Sequence, residues 1–424
     1  MRNPRLQPPF AGRAAALAAL WAERDFFRVW LAGGLVGVLR WFEILAVSVF
    51  TFQLTGSPSA VALMTFIRMA PLFLFGLLAG ALADRFDRKR LLILGLLVLT
   101  VSSLMIAALA WSGRIELWHI AAGSFLNGIF WSAEFPVRRT MLGEIAGMDR
   151  LNQAMALEAA TGNATRMLGP PLGGLLLEVG GLGGAFLLAT VVYAIGIVVV
   201  LPVAHRSEGG AGRGWSMLGT LIEGWRFIRA RRLIVGTLAV TVAVNLWGFA
   251  YITMVPVIGE LELGLSAFLI GILMAGEGLG ALIGAFLVGI WGRPHDYARI
   301  YLGSSVLFQL AVLAFALSGW VPLSFALILL CGLAIAGFAV MQSTILFLAA
   351  PAEVRSRVMG VLTVSIGAGP IGMLHVGWLA DWLGPSTAVA VMAIEGLIAV
   401  IAAAIIWPEL RRPGDPAPPR GRAA

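Results

Sequence analysis

Long apolar runs separated by short polar breaks recur along the entire chain. A helix needs about 20 apolar residues to cross the hydrocarbon of a bilayer, and only helices or closed barrels satisfy their backbone hydrogen bonds there. The runs cover 26–53, 59–83, 91–111, 117–141, 151–178 and 185–204, then 233–259, 267–292, 299–319, 322–349, 357–383 and 387–408. They are far too long for barrel strands. The chain is therefore expected to be an all-α membrane protein with 12 transmembrane helices. Composition agrees: 59% of the 424 residues are hydrophobic and 12% are charged, against about 25% charged in a soluble domain.

The charge of +8 does not point to nucleic acid, because the basic residues sit in short loops rather than along one soluble face. All but four of the 30 lysines and arginines fall on one side, in alternate loops, the two tails and the adjoining ends of spans; the exceptions are Arg114 on the opposite side and Arg40, Arg68 and Arg166 within spans. Positive charge stays in the cytoplasm. Both termini are thus expected there, in a bacterial inner membrane, with an even number of spans. Residues 1–25 read as an uncleaved cytoplasmic leader and 409–424 as a cytoplasmic tail. Segment 205–232 divides the chain into two bundles of six helices, 26–204 and 233–408. Its second part, 216–232, alternates apolar residues with arginines, as in a helix lying on the membrane surface or docked on protein.

Gly80-Ala-Leu-Ala-Asp-Arg-Phe-Asp-Arg-Lys-Arg-Leu-Leu92 joins the second and third spans. Gly80 permits close helix approach, Asp84 suits a neighbouring helix end, and Arg85, Arg88 and Lys89 anchor the loop, making a charged latch. This segment resembles the signature loop of the major facilitator superfamily, with Asp87 in place of its usual second glycine. Weaker echoes lie at Gly284 to Arg293 and at Gly377-Trp-Leu-Ala-Asp-Trp-Leu-Gly384. Phe27-Arg28-Val29-Trp30, Gln53-Leu-Thr-Gly-Ser57, Leu151-Asn-Gln-Ala154 and Arg357-Val-Met-Gly360 resemble the enterobactin-exporter branch. Gly169-Pro-Pro-Leu-Gly-Gly174 resembles the fifth-helix element associated with antiporters. The resemblance covers nearly all of the chain from Phe26. It implies two six-helix bundles with pseudo-twofold symmetry that export small amphipathic molecules, such as siderophores or drugs, in exchange for protons.

An ionisable group inside a span is costly and so is a functional candidate by default. Arg40 and Glu43 lie three residues apart on one face of the first span, and they are the leading pair for proton coupling. Glu277, with no arginine near it in sequence, comes second. Glu134 is a third candidate, although its place near the arginine-rich end favours a structural role, as it does for Glu158. Arg68, Asn127, Trp131, Asn163, Arg166, Asn245 and Gln342 are candidates for lining a substrate cavity.

No phosphate loop, zinc-ligand cluster or nucleophile elbow is present. The single cysteine, Cys331, excludes an intrachain disulfide. Neither catalysis, cofactor nor metal is expected. The expected partners are a small-molecule substrate, protons and membrane lipids, with the chain acting as a monomer. A lipid flippase on the same scaffold and a non-transporting sensor are the competing readings. The cost of the intramembrane charges argues against the sensor.

Overall fold

The structure is a computed structural model that describes residues 18–85, 87–205, 227–291 and 293–411, without the side chains at 73, 75–85, 291, 294, 352, 353 and 356. Among the described residues it is helical with no strand. The helices are α1 (Arg24–Thr55), α2 (Pro58–Arg85), α3 (Arg88–Trp111), α4 (Leu117–Ala146) and α5 (Leu151–Val200). After the central gap come α6 (Arg232–Ala243), a π-helical turn (Val244–Gly248) and α7 (Tyr251–Leu261). The remainder are α8 (Ala267–Trp291), α9 (Tyr297–Ala316), α10 (Val321–Ala349), α11 (Ala352–Ile366), α12 (Gly369–Leu383) and α13 (Pro385–Ile406).

Each of the twelve apolar runs is helical over most of its described residues. Nine helices among the described residues are long and apolar enough to cross a membrane. One of these, Met148–Val200, is 53 residues long and reverses at Gly181, whose φ of +59° places it in the left-handed region open to glycine. The nine leave out α2, which is described with its side chains only in part, and α4, whose apolar stretch is interrupted by His119, Asn127 and Glu134.

Local chemistry sets the helix ends. Gly56, at φ +63°, closes α1 and donates its N–H to the Phe52 carbonyl. Pro58 and Pro385 stand in first turns, where a missing N–H costs nothing. Asp87, the residue that departs from the signature loop, caps α3 by accepting the Arg90 N–H at 2.8 Å. Glu116 and His119 form a reciprocal capping box on α4.

Two groups of helices result. In the first, α5 packs on α1 and α3, and α2 packs on α4; in the second, α10 packs on α8 and α9, and α13 packs on α9 and α12. The groups meet chiefly through α5 against α8 and α2 against α12. Glycines allow backbone contact at these seams, as expected where helices must associate within lipid. A Cβ on Gly169 would lie 2.6 Å from the Trp41 Cβ, one on Gly173 2.7 Å from the Phe42 carbonyl oxygen, and one on Gly174 2.1 Å from the Ala267 carbonyl oxygen. The Gly-Pro element thus joins α5 to both α1 and α8. Outward faces are apolar, with Leu94, Leu97, Val101, Leu104 and Met105 exposed on α3 and Ile394, Ile398, Ile401 and Ile405 on α13.

The amphipathic helix expected over 216–232 lies mostly outside the described residues. At its described end Ile228 is buried against Ile234, Leu346 and Val358, so that end docks on protein. Residues 1–17 and 412–424, most of the expected leader and tail, also lie outside the described residues.

Candidate functional site

Four glutamates and four arginines meet inside the helix bundle as three linked or neighbouring groups. The first centres on Glu43, which is 3% exposed. Its Oε2 accepts hydrogen bonds from Arg68 Nη1 at 3.2 Å and from Asn127 Nδ2 at 2.5 Å. Its Oε1 accepts from the Tyr193 hydroxyl at 2.9 Å. Arg68 also donates to the Arg40 carbonyl oxygen at 3.2 Å. Four stretches of chain, α1, α2, α4 and the second part of α5, therefore converge on one carboxylate. Beside it is a void of about 10 Å³ lined by Glu43, Arg68, Ser102, Ser103, Ser124 and Asn127, close to the smallest space that holds a water.

In the second group, Arg40 donates to Glu134 at 2.9 Å, and Arg138 donates both to Glu134 and, at 2.6 Å, to Glu158. The Arg40 guanidinium also lies 4.7 Å above the Trp131 ring. The leading sequence-derived pair is therefore not a pair: Arg40 and Glu43 share a helix face, but each bonds to a partner on another helix. Glu134 and Glu158 belong to one network joining α1, α4 and α5.

The third group consists of Arg166 on α5, which donates to Glu277 on α8, and Trp41, whose ring lies 4.8 Å from that guanidinium. Glu277 is 2% exposed. It does have an arginine partner, contributed by the other helix group. Arg68 and Arg166, expected as cavity-lining residues, are both ion-paired.

The second helix group holds an uncharged polar cluster. Gln342 donates to the Thr241 hydroxyl at 2.7 Å, and that hydroxyl lies 3.0 Å from the Tyr301 hydroxyl. Asn245, in the π-helical turn, donates to the Thr241 carbonyl oxygen at 2.9 Å. Asn163 is half-buried on α5. His375 is half-buried, and its Nδ1 lies 3.8 Å from a Glu395 carboxylate oxygen. Sequence reasoning missed Tyr193, Tyr301 and the bridging role of Arg138. A tyrosine within an apolar run was the available signal for the first two.

The latch is visible only in part. The Gly80, Asp84 and Arg85 side chains lie outside the described residues. Arg88 pairs with Glu144 of α4, and Lys89 donates to the Val203 carbonyl oxygen at 2.7 Å; the described part thus ties the start of α3 to its own helix group. The proposed echo at Gly377–Gly384 is a correction. It lies at the opposite end of the helices, beside the α1–α2 turn, where Asp381 accepts the Ser59 N–H at 3.2 Å.

An apolar groove of about 370 Å³ lies between α3 and α4, lined by Leu97, Val101, Met105, Leu109, Trp118 and Leu126 among others; it shares Ser102, Ile106 and Gly123 with the void beside Glu43.

Residues 14–413 match the family described as transmembrane secretion effector. The chain is 25% identical over 352 residues to the staphyloferrin A transporter of Staphylococcus aureus, covering 81% of this chain and 87% of that one. It is 26% identical over 380 residues to the enterobactin exporter EntS of Shigella flexneri, covering 89% of each. It is 25% identical over 389 residues to the multidrug efflux pump Tap of Mycolicibacterium fortuitum, covering 87% and 92%. Among solved structures, a bacterial homolog of the human lysosomal transporter Spinster, inward-facing and unoccupied, superposes with a TM-score of 0.66 at 16% identity over 91% of this chain and 96% of that one. The POT family transporter PepTSo does so with a TM-score of 0.74 at 12% identity over 92% and 98%. The fold, the family match and these relatives agree: the chain belongs to the transmembrane secretion effector family of the major facilitator superfamily and is a multi-pass membrane transporter.

Proposed function

We propose that the protein is a proton-driven exporter of small amphipathic molecules, working by alternating access between its two helix groups in a bacterial inner membrane with both termini cytoplasmic. The observation that carries this reading is the buried Arg166–Glu277 pair, which joins α5 of one group to α8 of the other. When the groups rock about a central site, this pair is made or broken by the motion itself. A carboxylate that loses its arginine in an apolar interior takes up a proton, and one that regains it releases the proton. Glu43 is in a different position: Arg68, Asn127 and Tyr193 all belong to its own group, so rigid-body rocking leaves its surroundings intact. The geometry thus favours Glu277 over Glu43 as the coupling carboxylate, reversing the order expected from sequence.

Substrate class is supported by two features. The relatives named above include siderophore and multidrug transporters. The groove between α3 and α4 lies on the outward apolar face and would admit an apolar molecule from the bilayer beside the polar void at Glu43, which suits a molecule with an apolar body and a polar group. The test is flux in proteoliposomes under an imposed pH gradient, with siderophores and cationic drugs as the panel. Gradient-driven movement that disappears when the gradient is collapsed is the expected result. Movement of lysolipid alone would replace this reading with flipping of a lipid.

A further inference from the structure

The face of the molecule that carries Arg114 as its single loop arginine has a device that occurs twice. Gly174-Leu-Leu-Leu-Glu178-Val-Gly-Gly181 in α5 and Gly377-Trp-Leu-Ala-Asp381-Trp-Leu-Gly384 at the end of α12 share one spacing: glycine, an acid four residues on, and a glycine three beyond that. Each part has the same place in both copies. The first glycine abuts the opposite helix group: a Cβ on Gly174 would lie 2.1 Å from the Ala267 carbonyl oxygen, and one on Gly377 2.4 Å from the Ala62 Cβ. The last glycine turns the chain, at φ +59° for Gly181 and +83° for Gly384.

The acid between them caps a helix of the other group. Glu178 accepts the Phe268 N–H at 2.7 Å at the start of α8, and also bonds the Ser266 hydroxyl. Asp381 accepts the Ser59 N–H at 3.2 Å and the Ser57 hydroxyl at 3.5 Å at the start of α2. In both copies the acid takes a serine hydroxyl and the N–H two residues later. In both, that serine accepts the N–H three residues on, Ala60 to Ser57 and Leu269 to Ser266. Each group thus gives one carboxylate and receives one. Gln53 donates to Glu260 at 3.1 Å on the same face, again between groups.

Packing shows what these contacts hold. The two interrupted spans behave alike: α7 and α12, their segments near this face, pack on helices of the first group as well as their own, whereas α6 and α11, their segments near the arginine-rich face, pack principally within the second. A carboxylate at a helix N-terminus satisfies exposed N–H groups and meets the positive end of the helix dipole. Glu178 and Asp381 are both solvent-exposed, so water replaces these bonds when the face opens and the clasp is reversible.

We propose that Glu178 and Asp381 are positioning residues for transport: a duplicated carboxylate clasp that keeps the arginine-poor face shut and sets how often it opens. This rests on the alternating-access reading and adds the residues that bias it. The test needs no substrate or gradient, so its failure is distinguishable from failure of proton coupling. Spin labels are placed on the full chain at Arg114→Cys and Gly319→Cys, in loops of the two groups on this face, in a Cys331→Ala background in lipid nanodiscs. Glu178→Gln and Asp381→Asn should each raise the ratio of long to short label distances about fivefold, as expected for loss of one charge–dipole contact. Their combination should raise it more than either alone. Glu178→Asp and Asp381→Glu, which keep the charge, should stay near the parent distribution. A parent-like distribution in the folded double variant would overturn the proposal. So would an equal rise in the charge-conserving variants, because that would assign the effect to packing alone.

Discussion

Arg40 and Glu43 stand three residues apart on α1, yet one bonds to Glu134 of α4 and the other to Arg68 of α2. An exposed pair at that spacing contributes about 0.2–0.5 kcal/mol, whereas a hydrogen bond to a charged group contributes about 1.5–3 kcal/mol. Tertiary partners therefore outcompete the neighbour on the same helix. Sequence identifies which residues are charged within the bilayer, because each is rare and conspicuous in an apolar run. It does not identify their partners, because those arrive from helices tens of residues away. Tyr193 was missed for the same reason: its role depends on Glu43, 150 residues earlier. This pairing has a testable energetic consequence. Arg68→Gln leaves the Glu43 carboxylate buried with only neutral donors, which should destabilise the protein by about 3–5 kcal/mol. Adding Glu43→Gln removes the stranded charge and should recover most of that loss. Thermal unfolding of the purified protein in nanodiscs compares the two. A double variant no more stable than Arg68→Gln would refute the account.

At the scale of elements, helix existence was legible because lipid enforces it: each apolar run had to satisfy its own backbone. The interruptions were not legible. The span containing Asn245 passes through a π-helical turn, and the span before Gly384 breaks at Gly367 and Ala368. Hydropathy stays high through both, so no polar break marks them. Glycine roles were equally hidden, since composition does not say which glycine faces a neighbour. A Cβ on Gly280 of α8 would lie 1.9 Å from the Leu329 carbonyl oxygen of α10, whereas one on Gly303 of α9 would meet nothing within 4 Å. Gly280→Ala must push two backbones apart and should cost about 1–3 kcal/mol. Gly303→Ala should be neutral or stabilising by about 0.5–1 kcal/mol, since it removes only the conformational freedom of glycine in a helix. Melting temperatures of the two variants, measured side by side, check the contrast.

Across the whole molecule, arginine sidedness gives each helix a direction, and the two faces carry different contacts. The arginine-rich face carries the described part of the latch, Arg88 with Glu144 and Lys89 with the Val203 carbonyl, within one helix group. The arginine-poor face carries the duplicated contacts between groups. Gly377–Gly384 looked like an echo of the latch because both contain Leu-Ala-Asp, but helix direction separates them by the depth of the bilayer. Between the faces is Arg166–Glu277, the buried pair that feels the relative position of the groups. Under the proposed mechanism, rocking changes the surroundings of Glu277, and by the same linkage a proton taken up there biases the rocking. Glu277→Gln fixes this position in its uncharged form, so the groups still rock but no proton is carried. Accumulation driven by a pH gradient should then fall by about tenfold or more, the effect of losing roughly 1.4 kcal/mol of coupling. Substrate counterflow, which needs rocking alone, should persist. Glu43→Gln, which alters a cluster inside one group, should lower both measurements together through loss of folded protein. If Glu43→Gln instead abolishes accumulation and spares counterflow while Glu277→Gln does not, the coupling role passes to Glu43, and the interface pair serves only to hold the groups together.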